Sequence, residues 1–335
     1  MLFVGIDFHW RVSMLCILDH NGRKVKSLTI RGPWEKVLDY LRDLKEPFSV
    51  CFEASTGYVW LNKALQPLAR NVQVAHPGKA RMIFQSKRKT DRIDAEKLAK
   101  LLYLDEVPPV HVPSEDVRSW RGLIEHRSKK VASRTAIKNK IRAFLRTHAI
   151  RSPKSLWSKK GLAWLKELSF EAAPDELQRD ILLCDLQHYT NQLKLVEAAL
   201  YKIAARHPGA TLLRTIPGVG IRTAEAVVAY IDDPGRFSRI KAIGAYFGLV
   251  PCEDSSAGKQ RLGHITREGP STVRRLLTEA AWQSIRRSKN MKVYYERVMQ
   301  GDPKRKKSAL VATAHRMLRA MLAMLRTGET WKEAA

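Results

Sequence analysis

Apolar and polar residues alternate over residues 2–30, with Val4 and Ile6 on one shared face and Val12, Met14, Cys16 and Leu18 on another. A two-residue period predicts strands, and Asn21-Gly22 supplies a hairpin turn, so three antiparallel strands are expected. A helix over 33–44, an apolar strand over 48–52, a helix over about 58–68 and a strand over 72–75 complete a β-β-β-α-β-α-β order. Residues 76–90, rich in Gly, Lys, Arg and Ser without a period, read as a mobile basic loop. A helix then starts near Thr90 and carries Ile93, Leu98, Leu101 and Leu102. Pro108-Pro109 and Pro113 break the pattern and predict a linker.

Past that linker the pattern becomes helical. Trp120, Leu123, Ile124, Val131, Ile137, Ile141, Phe144 and Leu145 form an approximate apolar stripe. Further on, Leu182, Leu186, Tyr189, Leu193, Val196, Leu200 and Ile203 are spaced 4, 3, 4, 3, 4, 3, a heptad seam able to pair within the chain or with another subunit. His207-Pro208-Gly209 ends this arm. Ile216-Pro217-Gly218-Val219-Gly220 then forms a tight glycine-rich turn opening a helix, as in helix-hairpin-helix elements, and its backbone N–H groups can face phosphate. Helices are expected over 240–249, 272–287 and 308–325, interrupted by a polar stretch at 252–269. The predicted division is 1–107, 114–207 and 208–330.

Composition adds a partner. The 335 residues include 60 Lys and Arg against 33 Asp and Glu, a net charge of +27. With 44% hydrophobic residues a core can form, so the excess charge belongs on the surface and calls for a polyanion, nucleic acid before an anionic membrane. Residues 118–160 hold 14 of the cations and one acid, Glu125. Arg127, Lys130, Arg134, Lys138, Lys140 and Arg142 of this arm, with Lys87, Arg88 and Lys89 of the basic loop, are the expected backbone contacts. The arm lacks the bulky Trp/Phe/Leu face of an interfacial helix, no apolar run is long enough to span a bilayer, and the first residues read as a strand rather than a leader. A cytosolic protein is expected. Cys16, Cys51, Cys184 and Cys252 form no CxxC pair, so neither zinc nor a disulfide scaffold is predicted, and all four are expected to be buried thiols.

The candidate chemistry lies in carboxylates. Asp7 sits inside an apolar first strand, where a carboxylate is costly without a partner. Glu53 directly follows the strand at 48–52, and Asp91 and Asp94 lie three apart at a helix start, hence on one face. Taken singly, Asp91 reads equally well as a helix-dipole partner and Glu53 as a solvated strand end. Taken together, in a ribonuclease-H-like strand order, the four converge and could hold Mg²⁺, as one ion or two. His9 could join them or be structural. A second site is the segment Asp254-Ser255-Ser256-Ala257-Gly258-Lys259, followed by Arg261, His264 and Arg267. By itself it reads first as a surface turn or phosphate-positioning loop and second as a source of a nucleophilic serine. It fits neither a Walker A loop nor a GxSxG elbow.

Ile6-Asp7-Phe8-His9, Phe52-Glu53-Ala54-Ser55-Thr56-Gly57-Tyr58, Lys89-Thr90-Asp91-Arg92-Ile93-Asp94-Ala95, the turn at Ile216-Pro217-Gly218-Val219-Gly220, and Gly248-Leu249-Val250-Pro251 before the serine segment resemble, in order, the DEDD transposases of the insertion-sequence one-ten family. The Piv and MooV invertases are similar. The resemblance implies a ribonuclease-H-like (RuvC-like) α/β amino-terminal domain with Asp7, Glu53, Asp91 and Asp94 as its metal-binding acids. A helical coiled-coil arm and a mainly α carboxy-terminal transposase domain would follow. It implies Ser256, with Ser255 as the fallback, as the nucleophile of a covalent phosphoserine intermediate. It also implies a homo-oligomer, dimer or tetramer, acting on donor and target double-stranded DNA with a structured bridge RNA. Ala257 stands where the family commonly has Gly, and His264-Ile265-Thr266-Arg267-Glu268-Gly269 replaces a more usual Ile-Ser-Lys-Arg-Gly; neither removes a catalytic group. Lys259, Arg261 and Arg267 would position phosphate, and Gly218 and Gly220 would present backbone N–H groups. The rivals are a metal-dependent junction-resolving nuclease using water, an invertase of the Piv type, and a non-catalytic nucleic-acid binder.

Overall fold

The early alternation becomes β1 (Leu2–Phe8), β2 (Val12–Leu18) and β3 (Lys24–Arg31), joined antiparallel with Ile6 opposite Leu15 and Leu15 opposite Leu28. The structure, a computed structural model, describes residues 1–83, 90–254 and 261–333 and divides the chain into two units, Met1–Ser114 and Glu115–Ala335. In the first unit α1 (Glu35–Arg42), β4 (Phe48–Glu53), α2 (Tyr58–Leu65), β5 (Asn71–Ala75), α3 (Pro77–Ile83) and α4 (Asp91–Tyr103) follow. β4 lies parallel to β1, pairing Ile6 with Phe52, and β5 parallel to β4, so the sheet order is β3-β2-β1-β4-β5.

Alternation assigns the two faces. Val4, Ile6, Val50 and Phe52 are buried with Val37 and Leu41 of α1 and Leu61 and Leu65 of α2. Cys51 packs with Leu98 and Leu101, and Cys16 with Ala95 and Ala99, so α4 covers the opposite face. The contact with β1 is unusually close because Gly5 has no side chain there. A Cβ on it would lie 2.1 Å from the Ala95 carbonyl oxygen and 2.3 Å from the Ala99 nitrogen. Ala95 and Ala99 are one turn apart, and Asp91 lies one turn before Ala95 on the same stripe. The small residues at 5, 95 and 99 therefore seat the helix so that Asp91 arrives beside the next same-face residue of β1, Asp7. A Gly5→Ala protein should lose about 1–3 kcal/mol of stability in a urea melt, because backbone has to move. Unchanged stability would contradict the close seat.

Several local expectations are corrected. Residues 77–83 form α3 rather than loop, since His76 Nδ1 accepts from Lys79 N at 3.3 Å and Ala80 is buried, which anchors a helix with little apolar pattern. The prolines at 108 and 109 do not free the chain there. The Pro108 carbonyl accepts from His76 N at 2.8 Å and Val110 N donates to the Val74 carbonyl at 2.8 Å, so this stretch lies along β5. Cys16 and Cys51 are buried as expected, but Cys184 and Cys252 are exposed. The first lies beside the seam of its helix rather than in it, and the second on a strand exposed along its whole length.

In the second unit α5 (Glu115–Thr147), α6 (Lys159–Glu167) and α7 (Ala173–Arg206) form the arm. Trp120 and Ile124 share a core with Leu200 and Ala204, whereas Ile141 and Leu145 share one with Leu182 and Leu186, so α5 and α7 run antiparallel within one chain. Of the predicted seam, Leu182, Leu186, Leu193 and Leu200 are buried, while Ile203 is 39% exposed. His207 caps the next helix, its Nδ1 accepting from Gly209 N at 3.2 Å. Then come α8 (Pro208–Leu213), α9 (Ile221–Ile231), α10 (Ala242–Tyr246), the hairpin β6 (Pro251–Glu253) and β7 (Leu262–Ile265), α11 (Ser271–Ile285), α12 (Lys289–Met299) and α13 (Lys306–Thr327). Their core includes Val227, Phe247, Leu277 and Leu318 together with Trp120, Ile124, Leu200 and Ala204. The base of the arm is thus part of this core, and residue 207 does not divide units. The hairpin occupies part of the polar stretch between the predicted helices. α12 was not expected, because only Met291 and Tyr295 of its residues are buried among many charges.

Candidate active site

Asp7 and Glu53 stand one residue beyond the Ile6–Phe52 pair, at the carboxyl ends of adjacent parallel strands and on the face covered by α4. α4 begins there because Thr90 caps it, its Oγ1 accepting from Ile93 N at 3.3 Å. The positive end of the helix dipole favours carboxylates in this first turn, where Asp91 and Asp94 sit. His9 follows β1. Its Nε2 lies 3.4 Å from Asp7 Oδ2 and 3.8 Å from Asp91 Oδ2. One ligand atom each from Asp7, His9 and Asp91 falls within 4.8 Å of the others. Asp94 Oδ1 accepts from Lys97 Nζ at 3.4 Å.

Burial raises the Asp7 carboxyl above the ordinary range; His9 opposes that shift, and the negative charges of Asp91 and Asp94 add to it. A half-buried carboxylate repelled by two others is the environment that a divalent cation relieves. Two carboxylates and an imidazole, with Glu53 and Asp94 on the same side, suit Mn²⁺ well and Mg²⁺ through the oxygens. The donor set therefore fits a divalent metal, with Asp7 and Asp91 as the first candidates to hold it.

The other predicted residues are dispersed. Ser255, Ser256, Lys259, Lys87, Arg88 and Lys89 lie outside the described residues. Arg261 and Arg267 flank β7 and are exposed, and Asp254 N donates to the Arg261 carbonyl at 3.0 Å. Gly220 is exposed at the start of α9, as a backbone phosphate contact requires. Gly218, at φ +92°, packs on α11, where a Cβ would lie 2.5 Å from Ser284 N. Arg127 is a correction: it is buried and donates to Glu225 Oε1 at 2.7 Å, so it serves the core and not a phosphate. Lys140 and Arg142 are exposed, whereas Lys130 is partly covered, with Nζ 5.4 Å from the Tyr189 ring. Arg134 and Lys138 line a cavity of about 700 Å³ with Trp157. Burial and then the charges of Arg134 and Arg142 lower the Lys138 pKa. Crowded cations of this kind are relieved by a polyanion.

Residues 4–150 match the family model described as a transposase of the DEDD, IS110 type, and residues 210–296 match the one described as Transposase IS116/IS110/IS902 family. The chain belongs to the IS110-type transposase family. Among relatives of this chain, the protein y4qE of Sinorhizobium fredii, a transposase by name, is 31% identical over 69% of this chain and 57% of its own length. The transposase for insertion sequence element IS1328 of Yersinia enterocolitica is 29% identical over 70% of each chain. The transposase for insertion sequence element IS1111A of Coxiella burnetii is 25% identical over 86% of this chain and 79% of its own length. The chain thus spans less than two thirds of the first of these relatives. Among the described residues of the IS110-type chain, no helix is long and apolar enough to cross a membrane.

Sequence reasoning named the four acids and weighed His9, but it missed three tryptophans beside them, Trp10, Trp34 and Trp60. Their signal was faint: each falls at the end of an element, with no shared period.

Proposed function

We propose that this chain is a DNA recombinase of an insertion sequence, cutting and rejoining strands with its acid cluster and a serine, Ser256, and guided by a structured RNA. One observation carries the reading, namely the convergence of Asp7, His9 and Asp91 at the carboxyl end of the central strand in a chain of the DEDD transposase family. The order β3-β2-β1-β4-β5, with acids at the carboxyl ends of the adjacent parallel strands β1 and β4, supports the ribonuclease-H-like interpretation.

Asp7, Asp91, Glu53 and Asp94 would hold Mg²⁺, which when bound offsets negative charge on the phosphate under attack. The remaining work belongs to the chain. The serine Oγ–P bond forms as a P–O bond to the sugar breaks; the hydroxyl proton goes to a base, and the departing sugar oxygen takes one up. The ester keeps the phosphodiester energy, and a sugar hydroxyl of the new partner reverses the step without ATP. Lys259, Arg261 and Arg267 offset phosphate charge, and the exposed cations of α5 hold RNA and DNA backbones. We place this activity in an oligomer, dimer or tetramer, in the bacterial cytoplasm at the nucleoid.

The test is strand exchange by protein purified with the RNA from its flanking non-coding DNA. Exchange should require Mg²⁺ or Mn²⁺, stop with EDTA, and proceed without ATP. Exchange that persists in EDTA, or that survives complete removal of RNA, would overturn the corresponding part of the proposal.

A further inference from the structure

All three tryptophans of the first unit meet at one place. Trp10 lies in the turn after β1, Trp34 just before α1 and Trp60 in the first turn of α2. Trp34 is held from three sides. Its Nε1 donates to the His9 carbonyl at 3.3 Å, Phe8 meets it edge-on at 5.7 Å, and it packs so closely on Gly57 that a Cβ there would lie 2.4 Å from the ring. Gly57, at φ +85°, is thus needed both for its backbone and for this approach. Trp10 and Trp60 flank Trp34 with ring centroids 5.4 and 5.3 Å away, and they are 75% and 41% exposed. With Arg11 and Glu35 the three indoles line an open cavity of about 670 Å³.

Grouped exposed aromatics around a cavity mark a binding site, since scattered ones would not share a wall. Cavities of ~300–1,000 Å³ hold flat organic groups well. The surroundings select the group. The apolar side chains of the lining are the three indoles, whose faces stack on any base, and Pro33. Arg11 supplies a cation for phosphate, and the Glu35 carboxylate can accept from an exocyclic amine. The cavity also adjoins the acid cluster through one residue, because His9 offers its ring to Asp7 and Asp91 and its carbonyl to Trp34.

We infer that the Trp10–Trp34–Trp60 cavity binds one unpaired nucleobase of the strand that passes the acids. A base held there would be out of its duplex stack, leaving the adjoining backbone accessible. The inference rests on the nucleic-acid reading above and deepens it by naming the part of the substrate held beside the acids. Its test is therefore run in EDTA, where failure of the metal chemistry has no influence.

Binding of the full-length protein to a fluorescein-labelled single-stranded oligonucleotide of mixed sequence, to the same strand with abasic sugars, and to its duplex would be measured by anisotropy. Trp10→Ala with Trp60→Ala should weaken binding of the base-bearing single strand about tenfold, leave the abasic strand and duplex nearly unchanged, and be largely restored by Phe at both positions. Trp10→Ala alone, in a solvated turn, gives the same direction without risk to the fold. Wild-type affinity in these variants overturns the inference. So does an equal loss on all three ligands, or a change confined to self-association in sedimentation, which would make the cavity a contact between copies. Retained base-dependent binding with no metal-dependent strand exchange would sink the recombinase reading and leave the cavity standing.

Discussion

Asp7→Asn protein should fold normally and process DNA at least about 10³-fold more slowly than wild type, because a metal site supplies several kcal/mol of charge stabilisation and each ~1.4 kcal/mol is a decade in rate. The amide keeps the shape of the side chain and removes its charge. Burial, opposed by His9, together with the repulsion from Asp91 and Asp94, holds the wild-type carboxyl above its usual range. The metal-free variant should therefore melt no lower than wild type, and by relief of that cost up to about 1 kcal/mol more stably. Wild-type protein should gain stability from added Mn²⁺ by mass action, and the variant should not. Single-turnover cleavage and thermal melts with and without Mn²⁺ read both parts. Cleavage within tenfold of wild type would remove Asp7 from the reaction.

Arg127→Ala should cost about 3–5 kcal/mol at pH 8, since breaking a buried pair leaves a charge without its partner. Burial pushes the Glu225 carboxyl up to about 7, while Arg127 and its hydrogen bond pull the other way. The ordinary value is 4.5, so the folded state holds the proton more tightly than the unfolded chain. Stability from this group is fully present below 4.5 and is lost as the pH rises through 7. Without Arg127 the burial cost of the anion is unopposed, and the loss relative to wild type should be large at pH 8 and much smaller at pH 5. Urea melts at both values measure it. Equal losses at the two pH values would show that charge is not the cause. Arg127→Met combined with Glu225→Leu should recover most of the stability, as an apolar replacement of both partners.

The sheet was legible because its strands are short alternating or apolar runs bounded by turn residues, and Asp7 because it interrupts such a run. Residues 77–83 were not, since α3 is held by a single buried alanine and a histidine cap. Arg127 shows the opposite failure. Among the many cations of α5 nothing local marks the one whose partner, Glu225, lies far along the chain in α9. The packing of Gly218 against the α11 backbone at Ser284 was hidden for the same reason. The tryptophan cavity required three separate turns to come together. Properties that depend on one strand or one helix face were readable, and those created by long-range packing were not.

If the acids and a serine serve one phosphodiester exchange, denaturation should trap a covalent protein–DNA ester. Protein, its flanking RNA and end-labelled donor DNA are incubated with Mg²⁺, denatured and separated. Label should migrate with the protein in wild type and Ser255→Ala but not in Ser256→Ala or Asp7→Asn. Full cleavage with no protein-bound label, unchanged in Ser256→Ala, would contradict it and make water the nucleophile.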